Sequence, residues 1–151
     1  MNQLDIQHSL RTYFAAKHDM EVVWIYDGVK LPTVKPFMTI EQMQNNTSVL
    51  SKMRDAVQTL YRFQVGLQAT SASQRAQIQE QIHRGLLFDR IPLLDASRPD
   101  SPAEGFFVVE GEISVTPISA EDVSDKTQYH KVYFDVTVRA TFNAKTIQGG
   151  K

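Results

Sequence analysis

The chain has 151 residues, enough for one hydrophobic core, and a domain of that size buries about 68–70% of the surface its extended form exposes. Its 16 Lys and Arg nearly balance 17 Asp and Glu, and the basic residues are scattered, which argues against phosphate-backbone binding as the main task. The absence of cysteine excludes disulfides, thiolate nucleophiles and Cys-containing zinc sites and fits a cytoplasmic setting.

The first residues, Met1 to Ile6, lack a basic segment followed by an apolar block, so no signal peptide is expected. No window approaches the ~18 apolar residues of a membrane helix, which predicts a soluble chain with no membrane partner. Ile6, Leu10, Tyr13, Phe14 and Lys17 stand at helical spacing and predict an amphipathic helix from about Leu4 to Lys17. The β-branched and aromatic run Glu21 to Tyr26 reads as a strand covered on both faces, with Trp24 in the core. Asp27-Gly28 signals a turn, and Phe37 to Met43 forms a second, weakly alternating strand. Asn45-Asn46-Thr47-Ser48 reads as a turn, and Val49 to Asp55 as either a strand start or a bend.

From Ala56 to Ala69 the alternation is nearly unbroken. Val57, Thr59, Tyr61, Phe63, Val65, Leu67 and Ala69 fall on one face, and Gln58, Arg62, Gln64 and Gln68 on the other, as successive side chains of a strand do. About fourteen residues at roughly 3.3 Å each make a ribbon of some 45 Å, far beyond the usual strand of ~5–6 residues. The period then changes: Ser71 with Gln74 fits a capping box, and Ile78, Ile82 and Leu86 recur along a second helix from about Ser73 to Leu87. A long irregular connection follows through Asp95–Glu104. Phe107, Val109, Gly111, Ile113 and Val115 predict another long strand, ended by Pro117. His130, Val132, Phe134, Val136, Val138, Ala140 and Phe142 predict the last one. Between them Ser119 to Gln128 is polar, acidic and expected to be mobile. These elements predict one α+β domain over residues 1–145 in the order α-β-β-β-α-β-β. The sheet is expected to be mainly antiparallel with two helices on one face, and residues 146–151 to form a fraying tail.

No catalytic constellation emerges. His8, His18, His83 and His130 lack the spacing of a metal-ligand pair. Glu110 and Glu112 lie two apart on one strand face, a pair that can support acid–base work or hold a cation; a solvated outer face is the favoured reading. Glu121, Asp122 and Asp125 form an acidic loop without the order of a calcium loop. There is no phosphate-binding glycine loop and no nucleophile elbow. The expectation is a non-enzymatic protein without a cofactor or metal.

The element order, together with Leu31-Pro32-Thr33-Val34-Lys35-Pro36-Phe37-Met38-Thr39-Ile40-Glu41 after an apolar strand containing Trp24-Ile25-Tyr26, resembles the tail terminator (tail completion) proteins of long-tailed bacteriophages. It is also similar to the minor capsid and head–tail joining proteins grouped with them. The resemblance in element order covers about Leu4 to Phe142. It implies a homo-oligomeric ring, typically a hexamer, at the head–tail junction of a virion assembled in the host cytoplasm. Such a ring caps the tail tube protein and offers a surface to the head connector or stopper, with DNA passing through its lumen without specific binding. It transfers no catalytic residue. The polar strand faces and the acidic loop are then the candidate assembly surface: Gln58, Arg62, Gln64, Gln68, Glu110, Glu112, Glu121, Asp122 and Asp125. The loops Asp95–Glu104 and Ser119–Gln128 are the segments expected to reach neighbours and to order on assembly. The competing readings are a head-side stopper or adaptor, a small binding module, and a nuclease-like enzyme using Glu110 and Glu112.

Overall fold

The structure, a computed structural model, describes residues 1–118 and 130–143. In chain order the elements are α1 (Gln3–His18), β1 (Glu21–Trp24), β2 (Phe37–Gln42), β3 (Asn46–Val49), β4 (Ala56–Gln68), α2 (Ala72–Phe88), β5 (Ile91–Leu93), β6 (Gly105–Phe107), β7 (Ser114–Pro117) and β8 (Lys131–Asn143). The main sheet runs β1-β2-β4-β8-β7 with β3 also on β4, and β5 pairs with β6 apart from it. An α+β fold with a mainly antiparallel sheet is therefore present. The sheet is mixed, however, because β1 and β2 are parallel, and it has more strands than the pattern predicted. The 146–151 tail and the Ser119–Gln128 loop lie outside the described residues.

The alternation of β4 has its expected effect. Phe63, Val65 and Leu67 are fully buried, and so are Val132, Phe134 and Val138 of β8, with Val136 nearly so. Phe63 lies opposite Val136, Val65 opposite Phe134, and Leu67 opposite Val132; directly opposed residues share a face. Val22, Met38 and Ile40 extend this apolar face, and Ile6, Leu10 and Phe14 of α1 join the same cluster with Ile82 and Leu86 of α2. Burial of each such side chain contributes about 1.5–3 kcal/mol.

Three expectations are corrected. Asn45 to Ser48 is not a turn: Asn46–Val49 is β3, with Thr47 opposite Thr59 and their hydroxyls 3.0 Å apart. Its composition suits a turn, but β2 pairs only as far as Phe63, and the free half of β4 demands a partner. The actual turn lies at Ser51–Asp55, where the Asp55 amide donates to Ser51 Oγ at 3.2 Å and Arg54 takes a φ of 55°. Next, β1 is an edge strand. Trp24 and Tyr26 are 40% and 61% exposed rather than core, because among the described residues only one side of the strand has a neighbour. Finally, the strand expected over Phe107–Val115 is two strands in two sheets. The Glu110 amide donates to the Thr137 carbonyl at 2.8 Å, yet Ser114 already faces Asp135. The chain therefore bulges around Gly111 as it joins β8.

Local chemistry fixes the helices. Asn2 and Asp5 form a reciprocal capping box at α1, with the Asp5 amide donating to Asn2 Oδ1 at 2.9 Å, and Ser71 caps α2 by accepting from the Gln74 amide at 3.1 Å. The start of the Asp95–Glu104 connection is held on α1: the Leu94 amide donates to Ser9 Oγ (2.8 Å) and the Ala96 amide to Asp5 Oδ1 (3.0 Å). The helices are linked where α2 ends. There Asp89 accepts from the Tyr13 hydroxyl and the Lys17 ammonium, and Gly85 leaves room for the Tyr13 oxygen, which a Cβ would meet at 2.6 Å. Burial, and then Asp89 itself, push the Tyr13 hydroxyl well above the usual phenol range.

Hydrogen bonds from Lys17 and then Tyr13 hold the Asp89 carboxyl below its ordinary value of 3.8. A depressed carboxylate stabilises the fold above that value and stops doing so as the pH falls through its lower folded value. Thermal melts of wild type and Asp89→Asn should therefore differ at pH 7, with the gap closing as the pH falls through the depressed folded value of Asp89. An equal gap at both extremes would contradict this linkage.

Candidate functional site

One face of the sheet carries the polar register of β4. Gln58, Leu60, Arg62, Gln64, Gly66 and Gln68 lie opposite Thr141, Arg139, Thr137, Asp135, Tyr133 and Lys131 of β8. Arg139 organises this surface. Its guanidinium bridges two sequence-predicted residues, pairing with Glu110 and donating from Nη1 to Gln58 Oε1 at 3.2 Å. The bulge brings Glu110 to Arg139, because the Glu110 amide is anchored on Thr137, two residues away on the same face of β8.

A groove of about 730 Å³ opens here, lined by Arg62, Glu110, Glu112, Ser114, Asp135 and Arg139 among others. Its charges are mixed, and among the described residues Arg62 has no carboxylate partner within ion-pair distance. Glu110 and Glu112 thus share a groove but not a regular strand face, since the chain is irregular between Phe107 and Ser114. The described residues contain no group of three or more His, Cys, Asp or Glu side chains able to hold a metal ion. No helix among them is long and apolar enough to cross a membrane.

The other expected surface residues fare differently. Gln58, Arg62 and Gln64 are half-buried on the polar face. Gln68 is buried, because the connection from β1 to β2 closes over that end: Ile25 and Leu31 line a cavity of about 120 Å³ with Gln64, Gly66 and Gln68. Glu121, Asp122 and Asp125 lie outside the described residues. Sequence reasoning missed Arg139 and Asp135, although both stand at alternate polar positions of the last strand. His18, weighed in the sequence only as a metal ligand, stacks on Phe14 at 6.2 Å, and burial pushes its imidazole pKa down.

No family model matches the chain, and no curated protein matches it in sequence.

Two substitutions probe this face. A Cβ at Gly66 would meet Thr39 Oγ1 at 2.4 Å and the Tyr133 ring at 3.1 Å, so Gly66→Val should cost about 1–3 kcal/mol in urea unfolding; a loss below ~0.5 kcal/mol would show that the site relaxes freely. The Arg139–Glu110 pair has side chains 54% and 35% exposed. Arg139→Ala should therefore lower stability by no more than about 1 kcal/mol, and a larger loss would mean that the guanidinium supports the bulge itself.

Proposed function

We propose that this protein is a structural virion protein whose copies form a ring, six-membered as the resemblance implies, that caps the tail tube of a long-tailed bacteriophage. In this reading the ring ends tube polymerisation, presents a surface for head attachment, and lets DNA pass without specific binding. Its partners are copies of itself, the tail tube protein and the head connector, and it works as a scaffold rather than by catalysis.

The observation that carries the reading is the β3-β4-β8 ribbon. β4 and β8 pair along their whole length from Gln68–Lys131 to Ala56–Asn143, but the core cluster takes only Phe63, Val65 and Leu67 from β4, with Tyr61 packed against it. The remaining stretch, with β3 alongside, ends in exposed Val49 (50%), Leu50 (52%) and Met53 (85%). Apolar groups gathered at the end of an extended ribbon gain from a partner that covers them. The reading further takes both helices to back one face of the sheet, which is supported by their shared cluster with the buried strand residues, and leaves the polar face for the assembly.

Negative-stain microscopy with mass measurement tests this. The expected result is a ring with an open centre, alone or on purified tail tube ends. A protein that stays monomeric in both settings would rule the reading out.

A further inference from the structure

Among the described residues three strands of the main sheet, β1, β3 and β7, have a single neighbour, and β1 and β7 are the two ends of its strand order. We infer that β1 of one copy pairs antiparallel with β7 of the next, Trp24 opposite Val115 and Val22 opposite Pro117. This deepens the ring reading above and rests on it.

The main-chain groups decide the register. The Ile25 amide donates to the Ile40 carbonyl at 2.8 Å. Alternation along the parallel pair then turns Glu21 and Val23 toward β2 as well, and turns Val22 and Trp24 outward. The outward Val22 carbonyl is occupied, accepting from Arg11 Nε at 3.1 Å. β1 therefore offers the amides of Val22 and Trp24 and the carbonyl of Trp24. On β7 the Ile118 amide donates to the Lys131 carbonyl at 3.0 Å, and Ser114 and Thr116 share its phase opposite Asp135 and Tyr133. Val115 and Pro117 then point outward, and Pro117 has no N–H to give. β7 offers the amide and carbonyl of Val115 and the carbonyl of Pro117.

These two sets match. Trp24 and Val115 exchange two hydrogen bonds, and the Val22 amide donates to the Pro117 carbonyl. The one bond missing from a full ladder would need a donor that Pro117 lacks and an acceptor that Arg11 has taken. The faces match too. Val22 and Trp24 lie opposite Met38 and Ile40, and Val115 and Pro117 opposite Phe134 and Val132, so all four stand on the core face; a slip of one residue would reverse this. Strand direction also agrees. β1 is parallel to β2, and each later step through β4 and β8 to β7 is antiparallel, so β7 runs opposite to β1. A rotation about an axis along the strands keeps that relation and closes the sheet upon itself, head to tail. A groove of about 560 Å³ lies open beside β1, lined by Arg11, Trp24, Tyr26 and Val29.

The test uses the next residue pair, Val23 with Thr116, which is non-hydrogen-bonded in this register. Such pairs bring Cα atoms to about 4.5 Å, within disulfide reach, and the chain has no cysteine to interfere. The oxidised Val23→Cys/Thr116→Cys double variant should give a ladder of covalent multimers on a denaturing gel that ends at the ring size and collapses with reductant. Neither single variant should give a ladder. In addition, Val115→Pro removes only an outward amide, so it should keep the wild-type circular dichroism and melting point yet weaken assembly by at least about tenfold. Rings of full mass without a ladder, or rings of Val115→Pro at wild-type affinity, would overturn the edge pairing and leave the ring reading standing. Monomers alone and on tube ends, with no ladder, would overturn both.

Discussion

The rest of the molecule depends on the pairing of β4 with β8. The two strands are opposed at every position from Gln68–Lys131 to Ala56–Asn143; β2, β3 and β7 each pair with one of them, and β1 is placed by β2. β2 occupies one half of a β4 edge and β3 the other, while β7 and the Glu110 amide occupy β8. Residues of both helices join the apolar cluster that includes the buried residues of these two strands. A helix of 16 residues rises only about 24 Å, whereas strands of 13 residues extend about 43 Å. The ribbon is therefore longer than α1, and Val49, Leu50 and Met53 at its β3 end are exposed.

The same alternation that builds the core produces the second face. Its side chains carry both signs of charge, and Arg139 is committed to Glu110 and Gln58. Phosphate binding by a basic stripe is a poor description of such a surface. In the proposed ring a weakly charged, mixed surface suits passage of DNA, because strong contacts would retain what must move through.

Much of this was legible in the sequence where one residue pattern settled the matter. The periods of Ala56–Ala69 and His130–Phe142 placed β4 and β8, and the stripes Ile6-Leu10-Phe14 and Ile82-Leu86 placed the helices. What escaped depends on partners distant in sequence. Asn46 to Ser48 has turn-like composition, and it becomes a strand only because half of β4 lacks a neighbour. Phe107 to Val115 alternates like one strand, but its two ends belong to different sheets, and no local signal marks the exchange. The polar register of β4 was readable, while Arg139 gained its role only through the bulge that brings Glu110 beside it. Gln68 reads as surface, and is buried by the connection that a parallel β1–β2 pair requires.

In the proposed ring the sheet edges reconcile readiness to assemble with resistance to aggregation. An open strand pairs indiscriminately unless something interrupts its hydrogen-bonding row. Here Arg11 occupies an acceptor on β1 and Pro117 removes a donor from β7. Either edge presented to an ordinary complete strand leaves a main-chain group unpaired, at a cost of about 1–3 kcal/mol once buried. Presented to each other in one register, the two gaps coincide and that cost disappears. Each interruption thus guards the isolated chain, and together they favour one neighbour in one orientation, so protection and specificity follow from the same two residues.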